Sequence, residues 1–289
     1  MSSYLITGGS GFLGHGLVGE LLRTGAERVR VYSRSEVHQF HLRQRVEEAF
    51  PGDERIGFYV GDVRDLERLE RAMEMVDVVI HAAALKRIEV GYYNPDEMVK
   101  TNVLGTMNVI EAARRVGVRR VVFVSSDKAF EPISPYGLTK ALGEELILAA
   151  ERQNLGPEFR VVRYGNVAGS TGSVIPVWRE RLAAGLPLRV TDLECTRFWM
   201  SVQEAVDLVI ASTITDRPLL IPRLPAYRLG DLAEALQVEA RAGRVTREVV
   251  GLQPWEKKHE SMAADNCSAD APRLTVEDLR ARLAEIPAL

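Results

Sequence analysis

Short apolar runs alternate with stretches of helical periodicity along the first part of the chain. After a first apolar run, hydrophobic residues recur at the spacing of one helix face from Phe12 to Leu22. The alternation indicates a parallel sheet with right-handed crossovers, which is an α/β fold of the doubly wound, Rossmann type. The runs that predict its strands are residues 4–7, 29–32, 58–62, 76–84 and 159–164.

The pattern becomes irregular beyond the last of these strands, where segments containing glycine and serine separate shorter elements. Helices are predicted over residues 177–184 and 202–212, and the small, polar residues 263–272 predict a loop. Thr275 then begins a final short amphipathic helix, with Asp278 placed for reciprocal capping.

A glycine-rich turn joins the first predicted strand to the first predicted helix. Gly8, Gly11 and Gly14 permit a tight turn and a close backbone approach. Amide groups at the start of the helix then point toward a pyrophosphate. A glycine pattern alone is a weak signal, but its position between a strand and a helix predicts a dinucleotide site.

The ends of the next strands indicate which dinucleotide binds. Residues 29–32 run into Ser33 and Arg34 instead of an acidic residue, and a guanidinium there could hold a 2′-phosphate, which favours NADP and leaves NAD possible. Arg34 could also be a solvated loop residue. Asp62 could meet the adenine ring or merely cap the helix that starts near Asp65. The small residues 82–84 would let a nicotinamide ring approach the backbone.

This division of the pattern predicts two lobes. Residues 1–165 are expected to form an NADP-binding Rossmann domain, and residues 166–289 a smaller C-terminal substrate-binding lobe. Within the second part, residues 200–225 are expected to pack back on the first. A chain of 289 residues is long enough for both.

Candidate proton-transfer groups lie in two neighbouring segments. Tyr136 and Lys140 are four residues apart, so they share a helix face, and the lysine charge would lower the pKa of the phenol enough for it to accept an alcohol proton. Asp127 and Lys128 place an acid and an amine just upstream. Taken alone, the first pair fits an ordinary surface helix and the second a solvated turn. The glycine turn favours the catalytic interpretation of the first pair, and for the second the two interpretations stay open until the neighbouring segments are considered.

Composition excludes several classes of partner. The formal net charge of −3 and the interspersed basic residues provide no stripe for a nucleic-acid backbone. No apolar run approaches the roughly 20 residues that span a bilayer, and no signal region is present, so we expect a cytoplasmic protein without membrane contact. Cys195 and Cys267 are expected to be free thiols. His38 and His41 could share a helix face, on the surface or near the adenine, but no metal site is predicted.

Eight segments in order carry a family resemblance over about 260 residues. The chain resembles the extended short-chain dehydrogenases/reductases, most specifically the soluble inverting UDP-N-acetylglucosamine 4,6-dehydratases. The segments are HAAALK at 81–86, YNP at 93–95, KTN at 100–102, SDKA at 126–129, YGLTK at 136–140, RYGNV at 163–167, GSVIP at 172–176 and TRFW at 196–199.

The resemblance implies an internal redox cycle: oxidation at C4 of the sugar by NADP, loss of water across C5 and C6, and return of the hydride to C6. Tyr136 would deprotonate the C4 hydroxyl, tuned by Lys140 and assisted by Ser126. Asp127 would protonate the departing C6 hydroxyl, and Lys128 would remove the C5 proton. These roles require a neutral lysine and a protonated aspartate for part of the cycle, which desolvation in a dry cleft could arrange. The two groups should titrate as a pair.

The resemblance and the turn together predict the binding residues, with a homo-oligomer expected by resemblance alone. Cofactor contacts are predicted for Gly8, Ser10, Gly11, Phe12, Leu13, Ser33, Arg34, Asp62, Val63, Ala82, Ala83, Ala84, Lys86, Asn102, Tyr136, Lys140 and Tyr164. Contacts with a nucleotide sugar, expected to be UDP-linked, are predicted for Lys86, Asn166, Gly172, Ser173, Val174, Arg197, Glu256, Lys257 and His259. An ordinary ion pair for Arg197 and a structural loop at 172–176 remain alternatives.

Several positions depart from the family pattern and bear on the substrate. Arg87 stands where the family usually has His, Glu89 where it has Pro, and Thr171 where Arg is frequent. Trp255 and Lys258 also differ from the usual glycine and apolar residue. Two alternatives therefore stay open: a 4- or 5-epimerase of nucleotide sugars, and a non-catalytic NADP-binding sensor or scaffold.

Overall fold

The computed structural model of the protein describes residues 2–239 and 246–286. Its first part alternates strands and helices. In chain order the elements are β1 Ser3–Thr7, α1 Phe12–Arg23, β2 Arg28–Ser33, α2 Glu36–Ala49, β3 Ile56–Val60, α3 Leu66–Met73, β4 Val78–His81, α4 Ile88–Tyr93, α5 Pro95–Met98, a π-helical turn Val99–Leu104, α6 Gly105–Val116, β5 Arg120–Val124, a 3₁₀ turn Asp127–Ala129, α7 Pro135–Gln153 and β6 Glu158–Val162.

The later elements are shorter. They are α8 Val174–Ala183, β7 Leu188–Val190, β8 Thr196–Phe198, α9 Val202–Ser212, β9 Leu219–Leu220, β10 Ala226–Arg228, α10 Leu229–Glu239, β11 Arg247–Val249, β12 Ser261–Ala263, β13 Asn266–Cys267 and α11 Val276–Ala284.

Seven parallel strands form the main sheet in the order β3-β2-β1-β4-β5-β6-β9. The direction of strand succession reverses between β1 and β4, and in such sheets the carboxyl ends of the strands at this point border a crevice. The Rossmann-type, doubly wound fold predicted from the hydrophobic pattern is therefore confirmed.

Three strands have bounds that differ from the prediction by two or more residues, and one of them, β6, ends at Val162 instead of residue 164. Strand β3 starts and ends two residues before the predicted 58–62, because Asp62 has already turned back to accept a hydrogen bond from the Arg64 backbone. Strand β4 occupies only the middle of the predicted 76–84, since its pairing with β1 stops where Thr7 ends that strand. The small residues 82–84 consequently form loop backbone at the edge of the crevice.

Both faces of the sheet are covered by apolar clusters. On one face, α1 and α9 pack over β1, β2 and β6 through residues such as Leu17, Val206 and Val162. On the other face, α3, α6 and α7 cover the sheet through residues that include Leu69 and Ile147. Helices on both faces explain why the central strands are apolar runs instead of alternating patterns.

A third apolar cluster lies in the C-terminal part of the chain. Helices α8, α10 and α11 meet there around Trp178, Leu236 and Leu279. Helix α8 begins before the predicted residue 177, because Ser173 already has the extended backbone of an N-cap. Helix α9 has the predicted bounds, and the capping box of Thr275 with Asp278 is confirmed. The predicted loop 263–272 was partly wrong, because a short antiparallel pair, β12 and β13, enters it.

Residues 201–225 lie against the main sheet. Helix α9 packs on α1, where a Cβ added to Gly16 would lie 2.7 Å from Val206. Strand β9 continues the sheet by pairing in parallel with β6. Residues 201–225 therefore pack on the main sheet and its helices, although α8, which belongs to the C-terminal cluster, precedes them in the sequence.

Arg163 joins the sheet to α7 through a buried ion pair and to the C-terminal part through a hydrogen bond. Arg163, which follows β6, donates through Nε to Glu144 Oε1 of α7 at 2.9 Å, and through Nη1 to the Met262 carbonyl of β12 at 2.6 Å. Both side chains are almost inaccessible to solvent. The pair therefore fixes three elements next to the crevice.

Replacing Arg163 with Leu should lower the free energy of unfolding by about 3–5 kcal/mol, because the Glu144 carboxylate would stay buried without its partner. Urea unfolding measures the loss. The matched control is Arg223→Leu, which removes an exposed ion pair with Asp265 and should cost about 0–1 kcal/mol. Equal losses in the two variants would contradict the assignment.

Candidate active site

A cleft of about 930 Å³ lies along the carboxyl ends of the central strands. It runs from the glycine turn, past the loop after β4, to the segment 165–173 at the start of the C-terminal part. Most of the residues predicted from the sequence line it. These are Gly8, Ser10, Gly11, Phe12, Leu13, Ser33, Arg34, Asp62, Val63, Ala82, Ala83, Ala84, Lys86, Ser126, Asp127, Lys128, Tyr136, Lys140, Tyr164, Asn166, Gly172 and Ser173.

The glycine turn fits closely against the loop after β4. Gly8 has φ +69°, and a Cβ there would lie 2.8 Å from the backbone nitrogen of Ala83. Its N–H donates to the Tyr32 carbonyl at 2.8 Å, and the N–H of Gly11 donates to the Gly8 carbonyl at 2.9 Å. The turn delivers the chain to the amino end of α1, where free N–H groups suit an anion. These features fit the diphosphate of a dinucleotide.

Arg34 and Asp62 face each other at the far end of the cleft. Arg34 Nη1 lies 3.8 Å from Asp62 Oδ2. Partial burial opposes ionisation of Asp62, but hydrogen bonds from Arg64 and the nearby charge of Arg34 bring its pKa below the usual value. The alternative that Asp62 caps the next helix is wrong, since Asp65 accepts the capping hydrogen bond from the Arg68 N–H.

Tyr136 and Lys140 both lie in the cleft, but Lys140 does not act on the phenol as predicted. Its Nζ donates to the Val124 carbonyl at 2.6 Å and lies 3.8 Å from the centre of the Phe123 ring. Burial lowers the pKa of Lys140 to about 7, with Glu144 opposing the shift. Burial also raises the pKa of Tyr136 to about 12, so the predicted lowering by lysine is wrong for this state of the site.

Close packing of α7 sets the position of Tyr136. The next residue, Gly137, lies so near the carbonyl oxygen of Lys128 that a Cβ there would collide with it. Its N–H donates to Ser134, the N-cap of α7, at 3.1 Å. The start of α7 is thereby pressed onto the 3₁₀ turn, which brings the phenol next to the acid and the amine.

Asp127 and Lys128 form a hydrogen-bonded chain in this turn. Ser126 Oγ donates to Asp127 Oδ1 at 2.8 Å, and Lys128 Nζ donates to Asp127 Oδ2 at 3.0 Å. The alternative of a solvated turn is wrong, because Asp127 is only 2% exposed.

A third charged residue, Glu260, completes this group. Its Oε1 lies 3.0 Å from Lys128 Nζ. Burial on its own would lower the pKa of Lys128, but the charges of Asp127 and Glu260 together outweigh burial and raise it. The expectation that desolvation keeps the amine neutral is therefore wrong for this state. The family resemblance places Glu260 in the segment 256–260, which resembles nucleotide-diphosphate contacts, and not beside Lys128, because no spacing rule connects the two residues.

Six predicted binding residues do not line the cleft. Asn102, in the π-helical turn, uses its side chain to hold the Leu85 backbone and Thr139. Val174 borders a separate cavity of about 20 Å³. The others have protein partners: Arg197 donates to the carbonyls of Thr196 and Lys258, Glu256 accepts from the Gln253 N–H, Lys257 donates to the Phe130 carbonyl, and His259 contacts the Thr196 hydroxyl.

Buried polar atoms without hydrogen-bond partners mark where the cleft could hold ligands. Four such atoms belong to residues of the cleft: Thr101 Oγ1, Ser125 Oγ, Asn166 Oδ1 and Ser173 Oγ. Buried polar groups are normally paired, so these atoms are suited to ligand groups. Thr101 and Ser125 were not predicted, although both lie inside or beside quoted family segments.

The described residues contain neither a candidate metal site nor a membrane-spanning helix. Among residues 2–239 and 246–286, no group of three or more His, Cys, Asp or Glu side chains could hold a metal ion. Within the same ranges, no helix is both long and apolar enough to cross a bilayer.

Several known proteins are similar to this chain in sequence or in fold over most of their length. The UDP-N-acetylglucosamine 4,6-dehydratase (inverting) of Campylobacter jejuni subsp. jejuni serotype O:2 is 38% identical, over 94% of this chain and 79% of its own. The UDP-glucose 4-epimerase of Rickettsia rickettsii is 36% identical over 93% of this chain and 80% of its own. The crystal structure of Pen from Bacillus thuringiensis has a TM-score of 0.92 at 34% identity, covering 98% of both chains.

The sheet order, the glycine turn and the Tyr136–Lys140 helix define an extended short-chain dehydrogenase/reductase, within the superfamily of nucleotide-sugar dehydratases and epimerases. The family model described as polysaccharide biosynthesis protein matches residues 4–276, and the chain belongs to that family. The predicted resemblance is thus confirmed. Because relatives include both dehydratases and epimerases, the chemistry must be argued from the site.

Replacing Gly8 with Ala should weaken dinucleotide binding and destabilise the protein, because the methyl group would push the turn away from Ala83. Gly25→Ala is a matched control: Gly25 also has positive φ, at +84°, but has open space around it. Both variants carry backbone strain of about 1–2 kcal/mol. Only Gly8→Ala should lose more than this in urea unfolding and weaken dinucleotide binding in a fluorescence titration; equal behaviour would contradict the close fit.

Proposed function

We propose that the protein is a nucleotide-sugar 4,6-dehydratase that acts on UDP-N-acetylglucosamine or a close analogue. The observation that carries this proposal is the hydrogen-bonded chain of Ser126, Asp127 and Lys128 beside Tyr136 in one cleft. An elimination needs an acid and a base in addition to the group that handles the C4 hydroxyl proton. Epimerisation at C4 does not need that pair.

The residues of the cleft fit a nicotinamide dinucleotide. The glycine turn and the amino end of α1 would hold its diphosphate, and Thr101 and Ser125 offer unpaired hydroxyl groups nearby. A bound nicotinamide ring would supply a reversible hydride acceptor next to the sugar. Arg34 supports NADP, because its guanidinium suits a 2′-phosphate, whereas the neighbouring carboxylate of Asp62 would repel one, so NAD is the alternative.

Tyr136 accepts the C4 hydroxyl proton in this mechanism. With a pKa near 12 the phenol is protonated at neutral pH, so it needs a cation nearby to become a base. The charge of Lys128 already opposes the rise in the phenol pKa, and Lys140, whose pKa of about 7 lets it be protonated near neutral pH, would add to this effect once its amine turns from the Val124 carbonyl. Ser126 opposes the rise in the phenol pKa, and it is placed to hydrogen-bond the same substrate oxygen.

Lys128 and Asp127 carry out the elimination. Transfer of one proton from Lys128 Nζ to Asp127 Oδ2, across their 3.0 Å hydrogen bond, produces a neutral amine and a carboxylic acid without exchange with solvent. The amine then removes the C5 proton, which the C4 ketone has made acidic. The acid protonates the C6 hydroxyl, which leaves as water while the C5–C6 double bond forms. The pair returns to ammonium and carboxylate.

The proposed substrate contacts lie on the wall of the cleft that the C-terminal part of the chain forms. Asn166 Oδ1 and Ser173 Oγ are buried in the cleft without partners and are suited to the nucleotide sugar. Arg197 uses Nη1 for two backbone carbonyls, so it would reach a diphosphate through its other N–H groups. Arg87 lies next to Gly172, where a Cβ would be 3.4 Å from its Nη2, so this departure from the family pattern faces the sugar side.

An epimerase of nucleotide sugars is the second candidate, favoured by the Rickettsia relatives and by Arg87 and Glu89 in the cleft. A non-catalytic sensor has less support, because Tyr136 and Lys140 are both present in the cleft. A cytoplasmic location and a homo-oligomer remain predictions.

Incubation of the purified protein with UDP-N-acetylglucosamine should yield a nucleotide sugar that is lighter by one water, without net turnover of NADP. Mass spectrometry of the products provides the measurement. A product of unchanged mass with inverted C4 would identify the epimerase. Cofactor binding without any product from a panel of UDP- and dTDP-sugars would support the sensor.

Replacing Lys128 with Ala should reduce dehydration by about 100- to 10,000-fold, the usual contribution of a general base. Oxidation at C4 should continue, and single-turnover absorbance of the reduced nicotinamide measures it. An enzyme that epimerises only C4 would be little affected by the change, because it removes no proton from C5. Lys100→Ala is the control, since that exposed lysine pairs only with Asp96 and Glu97 among the described residues and should keep the wild-type rate.

A further inference from the structure

Glu260 is a buried carboxylate that the proposed mechanism has not yet used. It is 1% exposed and immediately precedes β12 in the C-terminal part of the chain. Its Oε1 pairs with Lys128 Nζ at 3.0 Å, while its Oε2 is buried without a hydrogen-bond partner in the structure. Burying a carboxylate with one oxygen unpaired lowers the stability of the fold, so a functional role next to the amine would explain its position.

The backbone around Glu260 fixes the carboxylate in place. Its N–H donates to Ser268 Oγ at 2.9 Å, and this hydroxyl contacts Thr196 Oγ1 at 2.7 Å. The same Thr196 hydroxyl contacts Nδ1 of His259 at 2.8 Å. Ser268 is completely buried, and Thr196 is 2% exposed. The carboxylate is therefore presented by a rigid support and not by a flexible surface loop.

Three charged side chains act on the Lys128 amine: Asp127 and Glu260 attract its positive charge, and Arg197 repels it. Asp127 accepts a hydrogen bond from the amine within its own turn, and Glu260 forms an ion pair with the amine from a different part of the chain. In the proposed mechanism Asp127 carries a proton while it acts as the acid, so at that stage it has no negative charge to offer the amine. Glu260 is then the carboxylate that remains to hold the amine.

We propose that Glu260 is a positioning residue for the elimination step: it directs the Lys128 amine and stabilises the ammonium that forms when the amine takes the C5 proton. This inference rests on the proposed dehydratase function. The proton balance is unchanged by it, because Glu260 takes no part in the proton transfers. The proton that Lys128 passes to Asp127 is replaced by the proton from C5, and Asp127 gives its proton to the leaving hydroxyl.

The test compares Glu260→Gln, which removes the charge and keeps an acceptor oxygen, with Glu260→Asp, which keeps the charge. For Glu260→Gln, kcat for dehydration should fall by about 10- to 100-fold with KM changed by about twofold or less, since Glu260 acts through Lys128 and does not touch substrate. Single-turnover oxidation at C4 should be retained. Glu260→Asp should restore part of the loss. Glu248→Gln, at an exposed pair with Arg189, is the control.

A second readout does not depend on turnover. Competitive labelling with acetic anhydride, followed by mass spectrometry of the peptide that contains Lys128, reports the pH at which this amine becomes neutral. Loss of the Glu260 charge should lower the pKa of Lys128, so labelling of Glu260→Gln should begin at lower pH than in the wild type. The Glu248→Gln control should label like the wild type.

The outcomes separate this inference from the proposed function. If the wild type makes no dehydrated product, the proposed function fails, and the labelling shift still decides whether Glu260 controls the amine. If the wild type dehydrates and Glu260→Gln keeps both its kcat and its labelling profile, the role of Glu260 is overturned. Loss of C4 oxidation together with dehydration in both variants would show a merely structural role and would also overturn it.

Discussion

The positive charge of Lys128, held between two buried carboxylates, is the interaction on which the candidate site depends. Asp127 approaches it from the end of the sheet, and Glu260 from the C-terminal part of the chain. A buried charge is tolerated only when it is paired, so the amine requires both partners to be in place. The same pairing opposes the neutral form that a base needs. Any chemistry at this amine must therefore begin with a proton shift inside the group.

The parallel sheet explains how such distant residues meet. The carboxyl ends of its strands lie at one edge, so the turns after β1, β2, β4 and β5 all open into one cleft. After β6 the chain crosses that edge and enters the C-terminal part, where Ser268 and Thr196 support Glu260. The sheet thus provides the cofactor side of the cleft, and the C-terminal part supplies the last carboxylate.

Much of this arrangement is predictable from the sequence, because it depends on local rules. The parallel, doubly wound sheet follows from the alternation of elements, although the strand order does not, and the glycine turn, α9 and the capping box at Thr275 have local signatures. The behaviour of Lys140 was not predictable, since it depends on Phe123 and the Val124 carbonyl, which helical spacing does not reveal. The pKa of Lys128 was misjudged for a related reason. The apolar residues around Lys128 in the sequence indicate that the amine is buried, but nothing in the sequence indicates that the carboxylate of Glu260, 132 positions later, pairs with it.

The strap formed by residues 257–262 has a consequence for any attempt to divide or recombine this chain. Lys257 bonds the Phe130 carbonyl, Glu260 bonds Lys128, and the Met262 carbonyl receives Arg163, so the strap crosses the acid–amine turn with three separate attachments. A chimera that exchanges everything after residue 165 would replace the electrostatic environment of the amine together with the proposed substrate side of the cleft. A chimera designed to change substrate specificity without losing the reactivity of Lys128 would have to keep residues 257–262 of this chain.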